Sequence, residues 1–350
     1  MNIGVVTFTD GTNYGQRLQN LAVQHIFEEY GHNVETFIIR RPDYGIKNFI
    51  KRTMKAAIHP ASSFVEYCRQ RAFGRFNNEY INFYRKKLYV GIDSTEIENE
   101  FDLVVAGSDQ VWNPYSAWVS ENNFLTFISN SKRASLAASF SIDDIPEDKK
   151  LLYKKYLEGI PKITVREIGA QRLIMNLCGK KVDVISDPTI IVGESFWETI
   201  MKEPKMSLPE NYIVDYVLGS KTETNFIYQF ASENNLEVVS LNKNSKWYVT
   251  SPADFLYIIK HAKFVFTDSY HGTIFSIIFK KPFRNILRKD ANISMQSRFE
   301  TLYSTLGIHK EFVLSHDNLH ETFDYSSISQ RMKEERIRSI RIIEKNILEM

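Results

Sequence analysis

Cysteine is scarce in this chain, and metal-binding patterns are absent from it. The 350 residues contain two cysteines, Cys68 and Cys178, which excludes a disulfide framework and the paired spacing of a zinc site. No His-Glu-x-x-His occurs, and His316 and His320 lie in a loop-like stretch with Asn and Asp. We therefore expect no metal and no bound cofactor, and the low cysteine content is typical of the reducing cytoplasm.

Long apolar runs and a strong net charge are also missing. No stretch reaches the ~20 apolar residues of a membrane-spanning helix, and the chain starts with a strand-like apolar pattern in place of a signal sequence. With 44 basic and 42 acidic residues the formal net charge is +2, so no overall field attracts nucleic acid. These absences predict a soluble, cytoplasmic protein that does not bind nucleic acid.

Motifs for dinucleotide, P-loop and serine-hydrolase chemistry do not occur either. The loop over residues 9–16 follows the first predicted strand, but it holds only Gly11 and Gly15 where a dinucleotide enzyme has Gly-x-Gly-x-x-Gly. No phosphate-binding loop and no Gly-x-Ser-x-Gly elbow is present. The polar residues of this loop predict either a substrate-binding loop or a plain connecting turn.

Apolar strands alternate with amphipathic helices along most of the chain. Residues 2–8, 16–30 and 34–39 are predicted as strand, helix and strand, the pattern of a right-handed crossover in a parallel sheet. A second alternating series begins near Tyr212, after a Pro-, Lys- and Glu-rich linker. We predict an α/β fold of two Rossmann-like domains that face each other across a cleft. The predicted parts are residues 1–192, residues 193–325 and a C-terminal helix over residues 326–350.

A basic segment interrupts the first series. Residues 40–90 hold twelve Lys or Arg against three acidic residues, a net charge of +9, interleaved with aromatic residues. We predict a helical insertion without strands, which contacts an anionic membrane surface or an acidic partner. The alternative is a charged, solvated face over a small core.

The stretch around His271 carries the strongest functional signal. Residues 263–266 form an apolar, aromatic run typical of a buried parallel strand, and Ser269 is a favourable N-cap for the helix that follows. Ligands of open α/β sheets bind at such junctions, where a helix N-terminus favours anions. His271 is therefore a candidate catalytic group whose charge follows the binding of an anion, and the alternative is a buried histidine bonded to a carbonyl.

Two more strand ends carry candidate groups. Ser108 and Asp109 follow the predicted strand over residues 102–107, either as an N-cap pair or with Asp109 as a base for an acceptor hydroxyl. Trp112 offers a flat face for a sugar ring. Asp187 ends another predicted strand and either braces a turn or contacts ligand.

Two arginines are candidate anion clamps. Arg166 follows the predicted strand over residues 163–165, and Arg298 opens a late helix. The planar guanidinium group matches a carboxylate or a phosphate. The alternative for each is an ordinary surface side chain.

Seven ordered blocks, which span roughly residues 3–306, give the chain a resemblance to the polysaccharide pyruvyl transferase family. The blocks are Asn13-Tyr14-Gly15 with Leu18-Gln19, residues 106–113, Ala138-Ser139-Phe140, Val165-Arg166-Glu167, Asp187-Pro188-Thr189, residues 267–276 and Ser297-Arg298. The resemblance implies a fold like that of type B glycosyltransferases. It also implies transfer of pyruvate from phosphoenolpyruvate, a co-substrate, onto two hydroxyls of a sugar as a cyclic ketal, with release of phosphate.

The resemblance also implies roles for the matching residues. His271 would be the general acid, with Asp109 as a second catalytic group. The donor would be held by Arg166, Arg298, Ser269, Gly272 and Thr273. The sugar acceptor would contact Asn13, Tyr14, Ser108, Gln110 and Trp112. The acceptor would belong to a repeat unit of an exopolysaccharide or capsule, and a lipid carrier would give the basic segment a reason to face the inner surface of the membrane.

One position departs from the family pattern. Members with established ketal chemistry carry an arginine two residues before the histidine, where this chain has Ser269. A replacement cation would come from Lys263, Arg284, Arg288 or Arg298. Two alternative functions follow, namely a glycosyltransferase that uses a nucleotide sugar and a non-catalytic sugar-binding relative.

Overall fold

The computed structural model describes residues 1–40, 60–91, 95–219, 223–288, 297–309, 313 and 323–349. Part of the predicted basic insertion, residues 41–59, and the pair His316 and His320 lie outside the described residues.

The first half of the chain builds a parallel sheet of seven strands in the order β3-β2-β1-β4-β5-β6-β7. The strands are β1 (Asn2–Val6), β2 (Asn33–Arg40), β3 (Phe83–Tyr89), β4 (Leu103–Ala106), β5 (Arg133–Ala138), β6 (Lys162–Val165) and β7 (Asp183–Val184). The central strand β4 is a continuous buried apolar run, Leu103 to Ala106, because helices cover both faces of the sheet.

The second half builds a parallel sheet of four strands in the order β11-β10-β8-β9. The strands are β8 (Tyr212–Tyr216), β9 (Glu237–Ser240), β10 (Phe264–Thr267) and β11 (Phe283–Asn285). Phe264 and Phe266 of β10 both pack on Phe230. The predicted α/β class with two Rossmann-like sheets is confirmed, and the boundary at residue 192 stays a prediction.

Twelve helices of the described chain surround the two sheets. They are α1 (Tyr14–Glu28), α2 (Pro60–Tyr80), α3 (Thr95–Glu100), α4 (Glu147–Glu158), α5 (Ile168–Cys178), α6 (Pro188–Ile191), α7 (Glu194–Ile200), α8 (Asn225–Glu233), α9 (Pro252–His261), α10 (Tyr270–Ile278), α11 (Ser297–Leu306) and α12 (Tyr325–Ile343). None of the described helices combines the length and the apolar character needed to cross a bilayer.

The C-terminal helix returns to the first sheet. The Ser339 hydroxyl of α12 accepts a hydrogen bond from the backbone N–H of Ser186, and Arg338 donates to the carbonyl of Val184 at 2.9 Å. Both contacts lie at β7 or just after it. The last helix therefore ties the end of the chain to the half that precedes the second sheet.

The predicted absence of strands in the basic segment is wrong. Residues 83–89 form β3, which pairs with β2 at the edge of the first sheet. Only Tyr84 and Leu88 of this strand are buried, and the three consecutive basic residues between them are all exposed. Charged side chains are a common feature of edge strands, because they discourage pairing with other chains. The run of basic residues concealed the strand from pattern analysis.

Arg69 of α2 is buried, contrary to the expectation that the basic segment faces outward. Its guanidinium group donates to the Thr12 carbonyl at 2.7 Å, to the Tyr14 hydroxyl at 2.9 Å and to the Tyr248 carbonyl. It also lies over the ring of Tyr248, 4.1 Å from its centre. Arg69 therefore connects α2 with the loop before α1 and with a turn of the second half.

We expect Arg69→Ala to lower the free energy of unfolding by ~3 kcal/mol, because it removes a buried guanidinium group and leaves its acceptors unpaired. The exposed Arg71 lies on the same helix, and Arg71→Ala should change stability by less than ~0.5 kcal/mol. Denaturant midpoints of the two variants measure the difference. Equal effects of the two substitutions would contradict the role given to Arg69.

Candidate active site

A strand, a tight turn and a helix position His271. Strand β10 ends at Thr267, and the Ser269 hydroxyl caps α10 by accepting from the backbone N–H of Gly272 at 3.3 Å. The Thr273 hydroxyl donates to the Ser269 carbonyl at 3.1 Å. A Cβ on Gly272 would lie 2.5 Å from the Thr267 hydroxyl oxygen, so glycine is required here. Ser269, Gly272 and Thr273 thus build the turn, and their predicted contact with a donor stays a prediction.

The first turn of α1 lies directly on the His271 ring. Asn13 caps this helix, since its side-chain oxygen accepts from the backbone N–H of Gln16 at 3.3 Å. A Cβ on Gly15 would lie 2.1 Å from the Nδ1 atom of His271. Only glycine therefore lets the first half of the chain approach the histidine of the second half so closely.

Tyr14 is a core residue and not the acceptor contact that the sequence predicted. Its hydroxyl bonds to the Thr250 hydroxyl at 2.8 Å, and its ring stacks on Phe255 with centroids 4.6 Å apart. The side chain is fully buried. Phe255 and Thr250 belong to the second half of the chain, while Phe73 and Arg69 of α2 pack on the same ring from the first half. Because its ring and its hydroxyl are both engaged by the protein, Tyr14 is not available to a sugar.

Asp187 joins Arg166 and His271 into one buried ionic cluster. Its Oδ2 atom lies 2.8 Å from Nη1 of Arg166 and 3.5 Å from Nε2 of His271. Its Oδ1 atom accepts from the backbone N–H and the hydroxyl of Thr189, at 3.0 and 2.7 Å. Burial by itself would raise the pKa of Asp187, but His271 and Arg166 outweigh burial and hold this pKa well below its usual range.

Arg298 joins this cluster through the ring of Tyr270. The guanidinium carbons of Arg166 and Arg298 lie 4.7 and 5.0 Å from the centre of that ring. Burial, followed by repulsion from Arg166, lowers the pKa of Arg298 to about 10. Both predicted anion clamps are thus brought together next to His271.

Two other candidate replacement cations are engaged elsewhere. Arg288 pairs with Asp268 at 2.8 Å, and Arg284 lies over the ring of Phe226. Asp268 also accepts the backbone N–H groups of Leu218 and Gly219 at the end of β8. Arg298 is therefore the named substitute that the structure brings to the cluster.

Glu167 is a site residue that sequence reasoning missed. Its Oε1 atom accepts from the Ser139 hydroxyl and from the backbone N–H groups of Phe140 and Ser141, at 2.9 to 3.0 Å. Ser141 has a φ of 55°, a conformation that non-glycine residues adopt rarely. The Oε2 atom lies 3.9 Å from Nε of Arg166. The sequence block 138–140 could have pointed to Glu167, because the Ser139 hydroxyl and the Phe140 backbone N–H of this block bind its carboxylate.

The loop after β4 brings Asp109 to the same cluster. Its Oδ1 atom accepts from the backbone N–H of Gln110 at 2.7 Å. Its negative charge raises the pKa of Arg166 and of Arg298, against the burial that lowers both. No helix begins at Ser108 in the described chain, so the N-cap alternative for this pair is wrong. Asp109 remains the candidate base.

Trp112 lies in the core and is not available to a sugar ring. Its indole N–H donates to the Asn123 carbonyl at 3.0 Å, and its ring is parallel to that of Phe124 at 5.7 Å. Gln110 accepts a hydrogen bond from Asn113 at 3.2 Å. Of the predicted acceptor contacts, Ser108, Gln110 and Asn13 therefore remain open as predictions.

Several buried polar atoms around this cluster have no hydrogen-bond partner among the described residues. They are Nε and Nη2 of Arg166, Oε2 of Glu167, Oδ2 of Asp109, the hydroxyl of Ser108 and Nε2 of His271. A cavity of about 20 Å³ lies beside Arg166, between Asp187 and Tyr270. Buried polar atoms of this kind lower the stability of the fold unless a ligand or a water molecule forms hydrogen bonds with them. The cavity has room for about one water molecule, and the unpartnered N–H groups of Arg166 are donors that an anion beside His271 could use.

Comparisons with known proteins give the family and the fold. The family model described as polysaccharide pyruvyl transferase matches residues 13–290. No protein of curated function matches the sequence. A Listeria monocytogenes protein assigned as a UDP-N-acetylglucosamine 2-epimerase has a similar structure, with a TM-score of 0.51 at 10% identity over 96% of this chain and 90% of that chain. The UDP-GlcNAc 2-epimerase of Methanocaldococcus jannaschii gives a TM-score of 0.49 at 11% identity over 95% and 92% of the two chains. The structural similarity to the Listeria protein shows that the chain has a fold of the type B glycosyltransferases.

Gly15→Ala should destabilise the protein by ~1–3 kcal/mol, because the new methyl group collides with the His271 ring. Gly74→Ala in α2 is the matched control, since nothing lies within 4 Å of a Cβ at that position. An alanine there should stabilise the helix by ~0.5–1 kcal/mol. Denaturant midpoints should therefore move in opposite directions, and stabilisation by both substitutions would show that α1 does not lie on His271.

Proposed function

The chain belongs to the polysaccharide pyruvyl transferase family, a family of transferases, and we propose that it transfers pyruvate from phosphoenolpyruvate to a sugar. The acceptor would be a repeat unit of a bacterial cell-surface polysaccharide, and the product would be a cyclic ketal and phosphate. The observation that carries the proposal is the buried guanidinium group of Arg166, which shares Asp187 with His271 and whose Nε and Nη2 have no hydrogen-bond partner in the described part of the chain.

The two arginines at Tyr270 fit the charges of this donor. Phosphoenolpyruvate carries a carboxylate and a phosphate, and guanidinium groups bind both in a bidentate way. One edge of Arg166 is fixed by Asp187, while Nε and Nη2 have no hydrogen-bond partner among the described residues. Arg298 adds a second charge over the same ring. This pair supplies the cation that the family pattern places at the position of Ser269.

His271 would supply the proton that starts the reaction. The N–H bond of His271 breaks, and the π electrons of phosphoenolpyruvate form a new C–H bond with this proton. The methylene group becomes a methyl group, and the adjacent carbon is left as a cation. An acceptor hydroxyl adds to this carbon. The phosphate then leaves with the electrons of its C–O bond, and a second hydroxyl closes the ketal. Of the two hydroxyl protons, one restores His271 and the other ends on the phosphate.

Asp109 and Ser108 are suited to receive the acceptor sugar. The Oδ2 atom of Asp109 and the hydroxyl of Ser108 are buried and have no hydrogen-bond partner in the described chain. A carboxylate at this place can orient an attacking hydroxyl and accept its proton. Asp109 lies within electrostatic reach of both proposed donor clamps, because its charge raises the pKa of Arg166 and of Arg298.

Melting temperatures with phosphoenolpyruvate and with a panel of nucleotide sugars test the donor. A donor at 100 times its Kd stabilises the folded protein by about 2.7 kcal/mol, so we expect an upward shift with phosphoenolpyruvate that Arg166→Ala abolishes. Arg172→Ala changes an exposed arginine of α5 and should keep the shift. A shift with a nucleotide sugar and none with phosphoenolpyruvate would replace the proposal by the glycosyltransferase alternative. Full cellular function of a His271→Ala variant would favour the non-catalytic alternative.

We also propose that α2 contacts an anionic membrane that carries a lipid-linked acceptor. Arg85 and Lys86 of β3 are paired with Glu100 and Glu96, so they contribute little to such a contact. The exposed side of α2 instead holds Phe64 and Tyr67, which are 65% and 56% exposed. Arg71 and Arg75 continue the same stripe at helical spacing. Aromatic residues next to arginines are typical of helices at a lipid surface.

The double variant Arg71→Gln/Arg75→Gln should bind vesicles with anionic lipid ~30-fold more weakly, because each basic residue contributes about 1 kcal/mol. Flotation with phosphatidylglycerol vesicles measures the binding, and raising the salt concentration should weaken it for the wild type. The control variant Arg172→Gln/Lys181→Gln changes two exposed basic residues elsewhere. An equal loss of vesicle binding in the two double variants, or no loss of vesicle binding in either, would contradict a contact through α2.

A further inference from the structure

One of the two ring nitrogens of His271, Nε2, faces the carboxylate of Asp187, and the other, Nδ1, faces the first turn of α1. We propose that Asp187 is a positioning residue that fixes a proton on Nε2 of His271, so that proton transfer to the substrate uses Nδ1. The inference deepens the proposed function, because it states how the general acid is oriented.

Asp187 is itself held rigidly at the start of α6. Its Oδ1 atom accepts two hydrogen bonds from Thr189, and its Oδ2 atom receives Nη1 of Arg166 at 2.8 Å. The side chain is 0% exposed. The motif Asp187-Pro188-Thr189 therefore caps a short helix and presents a fixed carboxylate oxygen to His271.

A carboxylate only accepts hydrogen bonds, so the nitrogen that faces it has to carry the proton. Nε2 of His271 lies 3.5 Å from Oδ2 of Asp187, an ion-pair distance rather than a formed hydrogen bond, and the charge of the carboxylate favours the proton on this nitrogen. The other groups around the ring are Tyr270, whose ring is perpendicular to it at 5.5 Å, and Gly15 of α1, which has no charge. Arg166 acts on His271 through the shared carboxylate. Asp187 is therefore the described charged group that selects the tautomer.

Nδ1 faces the opposite way, towards the first turn of α1. It is the ring atom nearest to the position of a Cβ on Gly15. A substrate carbon that takes a proton from Nδ1 needs about 3.5 Å of contact distance on that side. The first turn of α1 therefore has to withdraw from His271 before the donor carbon arrives.

The proton balance follows from this arrangement. The Nδ1–H bond of the imidazolium breaks as the C–H bond of the new methyl group forms, and the ring is left neutral with its remaining proton on Nε2. Asp187 stays ionised throughout and takes no proton, as in other Asp–His pairs of catalytic sites.

Nitrogen-15 NMR of the histidine rings tests the assignment without any substrate. The signal of His271 is identified by its loss in His271→Gln. At a pH where the ring is neutral, we expect the wild type to show His271 as the Nε2–H tautomer with a proton protected from exchange. A wild-type His271 in the Nδ1–H tautomer would overturn the proposal, and this result needs no variant of Asp187.

Two variants extend the test to catalysis. Asp187→Asn should remove the protected Nε2 proton and lower kcat at least ~100-fold with little change in acceptor KM, as expected for a mispositioned histidine. Asp187→Glu keeps the negative charge, so it should retain part of the protection of the Nε2 proton and part of the wild-type kcat. Asp183→Asn, at an exposed position four residues earlier, is the control and should change neither. An Asp187→Asn variant that keeps the protected proton and the wild-type kcat would overturn the positioning role.

The two proposals fail in different ways. If phosphoenolpyruvate does not bind to the wild type while the Nε2–H tautomer is found, the donor is wrong and the positioning role stands. If phosphoenolpyruvate is transferred while His271 is the Nδ1–H tautomer, the donor stands and the positioning role is wrong.

Discussion

The buried ionic contact of Asp187 with Arg166 and His271 is the interaction on which the site depends. Arg166 follows β6 and Asp187 follows β7 in the first sheet, whereas His271 begins α10 beside the second sheet. Removing one member of a buried charge cluster leaves the others uncompensated, which costs several kcal/mol. The cluster is therefore stable only when both halves of the chain are in place, and it couples the fold of the protein to the orientation of its candidate acid.

The contact between α1 and α10 imposes a second constraint, which is steric. Gly15 leaves just enough room for the His271 ring, while the neighbouring Tyr14 is buried against Phe255. Arg69 fastens the same loop from the other side through Thr12 and Tyr248. Three features of one short segment thus serve the interface, namely a missing side chain, a buried ring and an anchored loop.

The sequence predicted what local patterns can show. The parallel strands, the capped turn at Ser269 and the placement of Arg166 and His271 at strand ends followed from hydrophobic periodicity and capping preferences. It did not predict which polar or aromatic residues become buried. Trp112 and Tyr14 looked like sugar contacts because they stand in polar loops, but packing between distant segments places them in the core. Asp187 was ambiguous for the same reason, since its partners lie 21 and 84 residues away along the chain.

The position of Ser269 illustrates how a site can keep its charge when one residue changes. Arg298 lies over the Tyr270 ring together with Arg166, where it would replace the additional arginine of the family pattern. Their mutual repulsion, added to burial, lowers the pKa of Arg298 to about 10, which still leaves it protonated at pH 7. An anion bound between the two groups would relieve that repulsion. The serine that replaces the arginine is then free to cap the helix that carries His271.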